Sequence, residues 1–78
     1  MSHEVVHIDP FSLHAHHVNQ SIYRDAPDEE FLESIKELGV LEPLLAWEEG
    51  DGKIVVVSGH RRMNAARMLK LDTVPVII

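Results

Sequence analysis

Val55-Val56-Val57-Ser58-Gly59-His60-Arg61-Arg62 decides how the chain folds. The run from Lys53 to Val57 is β-branched without alternation, so it reads as a central strand covered on both faces. Gly59 breaks it, and a basic helix expected over Arg61–Leu69 follows. A helix start leaves four backbone N–H groups without partners and carries the positive end of the dipole. Gly59 would let a phosphate approach the backbone closely, and Arg61 and Arg62 offer forked donors that match phosphate oxygens. His60 could add a donor or carry a proton near neutral pH. The plainer reading is that Gly59 makes a turn and both arginines are solvated; the pattern alone leaves both open.

Beyond this junction, Leu71-Asp72-Thr73 turns, and a last strand is expected at Val74–Ile77. The chain stops inside that apolar run, which is expected of a piece of a longer protein. Before the junction, Glu48 to Gly52 reads as a turn, and Leu44–Trp47 as a strand starting after Pro43. A helix is expected over Asp28–Leu38. Pro27 and the acids Asp28, Glu29 and Glu30 suit its first turn, and Phe31, Leu32, Ile35 and Leu38 form one apolar stripe. Gly39 is placed to end it in a left-handed cap. Pro10 to Arg24 has no clean period and reads as loop with room for a helical turn; Val5–Ile8 reads as a first strand. The expected fold is α/β (α+β): a small mixed sheet with helices packed on it, one domain over residues 1–78. The expected core is Ile35, Leu38, Leu44, Val55, Val57, Ala65, Ala66 and Leu69.

Composition bounds what such a domain can do. A chain of 78 residues buries one modest core, and 45% apolar against 26% charged residues is ordinary for a globular protein. It has no cysteine, which removes disulfides, thiolate metal sites and thiol nucleophiles. No apolar run reaches the roughly 18 residues of a membrane span, and no secretory leader is visible, so the expected compartment is the cytoplasm. The net charge of −6 argues against strong nonspecific duplex binding. The charge is polarised: Asp25 to Asp51 holds ten acids and one base, Lys36, whereas Ser58 to Lys70 holds four bases and no acid.

Two stretches resemble a known family. Leu32-Glu33-Ser34-Ile35-Lys36-Glu37-Leu38-Gly39-Val40-Leu41-Glu42-Pro43-Leu44 is similar to the first ParB signature, a helix ending in Ser-Ile followed by Gly, Val or Ile, and Pro. Ser58-Gly59-His60-Arg61-Arg62-Met63-Asn64-Ala65-Ala66 resembles the second, the Gly-Glu-Arg-Arg-x-x-Ala box, and Leu71 to Val76 resembles the strand that closes the domain. The likeness covers roughly Val6 to Ile78, with both boxes in order and at family-like spacing. It implies a ParB N-terminal-like domain of the ParB/sulfiredoxin fold. It also implies CTP or ATP binding with Mg²⁺, the phosphates held by Gly59, His60, Arg61 and Arg62, with Gly39, Glu42 and Pro43 near the nucleotide. The sequence departs from the family in three places. The usual Glu of the second box is His60; an Asn-Pro-x-Gln-Pro-Arg stretch survives only as Asn19-Gln20-Ser21-Ile22-Tyr23-Arg24, which carries Arg24 into the site; and the third nucleotide box, Glu-Asn-x-Gln-Arg, lies past Ile78. Sulfiredoxin chemistry needs a cysteine and is excluded.

Other clusters have plainer readings. His14, His16 and His17 could bind zinc or nickel, but loop histidines are usually solvated, and no metal site is expected. Glu29, Glu30, Glu33 and Glu37 could hold Mg²⁺, but such a run more often keeps a helix face soluble. Trp47 and Tyr23 lack the basic groove of a base-stacking platform. Three functions therefore compete. One is a nucleotide-binding switch linked to chromosome or plasmid partition or to DNA modification, with DNA held by other domains or partners. The second is an enzyme: an NTPase, a ParB-like nuclease or a small-molecule kinase. The third is a recruitment module that binds no nucleotide. A second copy of the chain is a further candidate partner.

Overall fold

The computed structural model describes residues 4–15 and 26–78. Strand β1 (Val5–Ile8) leads through a 3-10 turn (Pro10–Ser12) to the two-residue strand β2 (His14–Ala15). Helix α1 (Glu29–Leu38), strands β3 (Leu44–Glu48) and β4 (Ile54–Ser58), helix α2 (His60–Met68) and strand β5 (Val74–Ile77) follow. The expected strands and helices lie within a residue of these bounds. The sheet is mixed, with the order β1-β5-β3-β4-β2. β1 runs antiparallel to β5 and β3 antiparallel to β4, whereas β3 with β5 and β2 with β4 are parallel. Pro75 stands beyond the end of the β3 ladder, which takes only Val76 and Ile77 of β5, and lies opposite His7 of β1 on the other side.

One apolar cluster joins the sheet to α2: Leu44, Ala46, Val56, Val74 and Val76 from the strands, Met63 and Ala66 from the helix, and Leu13 from the segment before β2. Val55 and Val56 are both buried. Neighbours in a strand point to opposite faces, so β4 is covered on both, as its unbroken β-branched run predicts.

Pro10 to Ala15 is more ordered than its loop-like sequence suggests. Asp9 caps the 3-10 turn by accepting from the Phe11 N–H at 2.9 Å, and Pro10 is buried. Arg67 of α2 then holds the segment from inside, donating from Nε to the Pro10 carbonyl at 2.9 Å and from Nη2 to the Leu13 carbonyl at 2.8 Å.

The expected core needs correcting at three positions. Leu38 is 60% exposed, and Val57 and Leu69 are only half-buried. The physical reason for Leu38 is the width of the contact. α1 packs mainly against α2, so a narrow strip of it is covered, and Ile35 is its one buried residue. Leu38 lies about 60° round the helix from Ile35, in the last turn before the chain leaves at Gly39.

Candidate functional site

The junction between β4 and α2 forms as its sequence predicts. Gly59 caps α2 with φ 99° and ψ 23°, a left-handed conformation that favours glycine. A Cβ at Gly59 would lie 2.6 Å from Leu44 Cδ2 and 3.4 Å from Leu44 Cα, and Leu44 is fully buried. Left-handed backbone and close approach therefore both require glycine here. The first helical bond runs from the Met63 N–H to the Gly59 carbonyl at 2.9 Å. The N–H groups of His60, Arg61 and Arg62 precede it, and Gly59 has no side chain to cap them. They are the orphan donors of a helix start, with the dipole behind them.

His60 is 5% exposed, and its Nε2 has no hydrogen-bond partner among the described residues. A buried polar atom without a partner costs about 1–3 kcal/mol.

The two arginines diverge, as neighbours about 100° apart on a helix must. Arg62 turns toward the segment that leads into β3. Its Nη1 donates to the carbonyls of Glu42 at 3.1 Å and Pro43 at 2.9 Å, and its Nη2 lies 3.7 Å from Glu42 Oε2. Two backbone acceptors fix this guanidinium, while the Glu42 carboxylate, 82% exposed, adds little. Arg61 turns the other way, toward the start of α1. Its Nη2 donates to Asp28 Oδ2 at 3.1 Å, and its guanidinium lies 4.2 Å from the centre of the Phe31 ring.

Gly39 ends α1 with φ 77°, its N–H donating to the Ile35 carbonyl at 2.8 Å. It borders a cavity of about 300 Å³ with Phe31, Ser34, Ile35, Leu41, Glu42 and Arg62. A second cavity of about 300 Å³ lies beside it, lined by Asp28, Glu30, Phe31, Ser34 and Arg61. Gly39, Glu42, Pro43, Gly59 and Arg62 thus converge on one place, because the Arg62 clamp draws the β3 lead-in against the start of α2. Arg61 serves the neighbouring cavity. Arg24 lies outside the described residues, as do His16, His17 and Tyr23.

Asp28 and Phe31 are the site residues that sequence reasoning missed. Asp28 was legible as a helix start, and its Oδ1 does accept from the Phe31 N–H at 2.8 Å. Its second oxygen meets Arg61 across 33 positions of chain, a pairing with no local signal. The stripe of α1 placed Phe31 inward, but nothing in it told a core phenylalanine from one lying under a guanidinium. Among the described residues no three His, Asp or Glu side chains converge as a metal site would require.

The ParB N-terminal domain family matches this chain over residues 1–78. The probable chromosome-partitioning protein ParB of Treponema pallidum (strain Nichols) is 37% identical over 75 residues, covering 95% of this chain and 23% of that protein. The ParB-like nuclease domain-containing protein YnaK of Escherichia coli (strain K12) is 45% identical over 49 residues, covering 63% of this chain and 52% of that protein. The chain therefore spans about a quarter of the first relative and about half of the second. Among solved structures, C-terminally truncated ParB from Caulobacter crescentus complexed with CTP-gamma-S superposes with a TM-score of 0.74 at 32% identity, covering 94% of this chain and 42% of that one. Sulfiredoxin from Arabidopsis thaliana superposes with a TM-score of 0.71 at 21% identity, covering 94% of this chain and 81% of that one, a likeness of fold.

Proposed function

The chain belongs to the ParB N-terminal domain family, and from that premise we propose that it is a nucleotide-binding module that takes the phosphates of CTP or ATP at the start of α2. The observation that carries this reading is the glycine-led helix start at Gly59, which has no side-chain cap of its own and where the N–H groups of His60, Arg61 and Arg62 lie ahead of the first helical bond. A phosphate there gains backbone donors, dipole and guanidinium together, and each hydrogen bond to a charged group is worth about 1.5–3 kcal/mol. The Caulobacter relative, whose structure was solved with CTP-gamma-S, supports the choice of ligand.

In this reading Gly59 gives the close approach and Arg61 supplies the guanidinium. Arg62 fixes Glu42 and Pro43 around the neighbouring cavity, where Gly39 borders the rest of the nucleotide. His60 offers its unpartnered Nε2 to a group that reaches the first turn of the helix. Arg24 joins the set by its place in the family pattern. The described residues make no Mg²⁺ cage of their own, and none of these contacts depends on one. Within a longer protein the module would act in the cytoplasm in partition or DNA modification, with DNA held by other domains or partners.

The test is thermal unfolding of the full chain with CTP, ATP, GTP and UTP in turn, with Mg²⁺ present. A ligand at 100 times its Kd adds about 2.7 kcal/mol. A base-selective shift is expected. Steady nucleotide turnover would move the reading to an NTPase, and no shift with any nucleotide would leave the recruitment module.

A further inference from the structure

We propose that Asp28 is a built-in anion that competes with phosphate for Arg61, and so sets how strong an anion the start of α2 accepts. The inference rests on the nucleotide-binding reading and deepens it. It starts from an asymmetry between the two arginines. Arg62 is committed to two backbone carbonyls, and a ligand that recruits it must first break both contacts. Among the described residues Arg61 contacts only side chains of the first turn of α1, so a ligand can redirect it without breaking a backbone contact.

Its partner is a carboxylate, the chemistry nearest to a phosphate oxygen that a protein side chain offers. The contact is a single one, Nη2 to Oδ2 at 3.1 Å, with the two side chains 41% and 68% exposed. Asp28 does not need Arg61 to keep its own place, because its other oxygen is engaged by the Phe31 N–H at 2.8 Å. Removing the guanidinium would therefore leave α1 capped. Phe31 offers Arg61 a resting surface that does not consume its N–H donors. The guanidinium thus lies against α1, held by an anion that can be exchanged for a stronger one.

Charge points the same way. Asp28 and Glu30 line the cavity that Arg61 faces, and Glu29 stands between them in sequence. An incoming anion finds these acids beside the guanidinium. Exchanging one carboxylate for one phosphate gains little, whereas a polyphosphate also reaches the N–H groups of α2. The resident carboxylate therefore favours di- and triphosphates over single phosphates.

The experiment separates this inference from the reading beneath it. Asp28→Asn keeps a capping oxygen and removes the charge, since Asn caps helices as well as Asp. Calorimetric titration of the full chain with pyrophosphate and with CTP should show roughly two- to fivefold tighter binding by the variant, the range an exposed ion pair is worth. The gain should be larger for orthophosphate relative to wild type than for pyrophosphate. Asp28→Ser, a second neutral cap, should reproduce it, which guards against a folding defect peculiar to one variant. If wild type binds CTP and neither variant binds more tightly, the inference fails and the nucleotide reading stands; weaker binding would make Asp28 a positioning residue for Arg61. If wild type and variants bind neither ligand, both readings fail. Pyrophosphate binding by the variants alone would show the carboxylate acting as competitor.

Discussion

α1 and α2 differ in a way their sequences invert. α1 carries the clearer apolar stripe, yet of its ten residues only Ile35 is buried. α2 is polar and basic on paper, yet of its nine residues His60, Met63, Ala65 and Ala66 are buried. The cause is position: α2 lies on the sheet, and α1 lies on α2. Small residues let α2 approach closely, and its arginines reach sideways to tie down what surrounds it. Arg62 holds the lead-in to β3, Arg67 holds the lead-in to β2, and Arg61 holds the start of α1. Periodicity reports that a helix has a wet side and a dry one. It does not report how wide the dry contact is.

The sharpest way to break this comparison is a pair of truncations. Leu44→Ala, at a fully buried position against α2, should cost about 2–5 kcal/mol. Leu38→Ala, in the stripe of α1, should cost under about 1 kcal/mol because its side chain is already largely in water. Similar losses in denaturant midpoint would mean that α1 carries core weight which its exposure denies.

Next in size is Gly59→Ala. Strain at a positive φ and the contact with Leu44 should together remove about 2–4 kcal/mol. A variant of unchanged stability would show that the start of α2 can relax and that its close approach to β3 is incidental.

The arginine clamps come third. Arg67→Ala and Arg62→Ala each strip a charged donor from two backbone carbonyls, and each should lower stability by about 1.5–3 kcal/mol. If chemical unfolding shows a loss for Arg67→Ala alone, the Arg62 contacts are weak and its guanidinium is available to a ligand.

The smallest effect is expected at the far end of α2. Lys70 has φ 56°, and the bonds Lys70 N–H to Arg67 and Leu71 N–H to Ala66 form the double closure that usually carries glycine. Lys70→Gly should raise the melting temperature slightly, by the equivalent of about 0.5–1 kcal/mol, as a left-handed strain is removed. A fall would place the weight on the lysine stem.

These cases show which features were legible in the sequence. The β-branched run ending at Ser58, Gly59 as the junction, and Gly39 as the stop of α1 each follow from local chemistry, so the sequence located them. β2 has two residues, too few to show a period, and it exists because Arg67 and β4 hold it. The Arg62 clamp ends on backbone carbonyls, which every residue has and no sequence marks. The Asp28–Arg61 pair joins two helix starts that look unrelated in one dimension. The candidate site was therefore legible as a list of residues, but not as the division of labour between its two arginines.

Among the described residues β1 pairs with β5 alone, Val5 with Ile77 and Ile8 with Val74. That closure spans nearly the whole sequence, and long closures are slow steps in folding. On a ribosome the residues of β1 leave the exit tunnel early and wait, unpaired, until β5 follows. The β3–β4 hairpin and α2 can assemble meanwhile, so β1 should be the last strand to dock and the first to exchange its amide hydrogens.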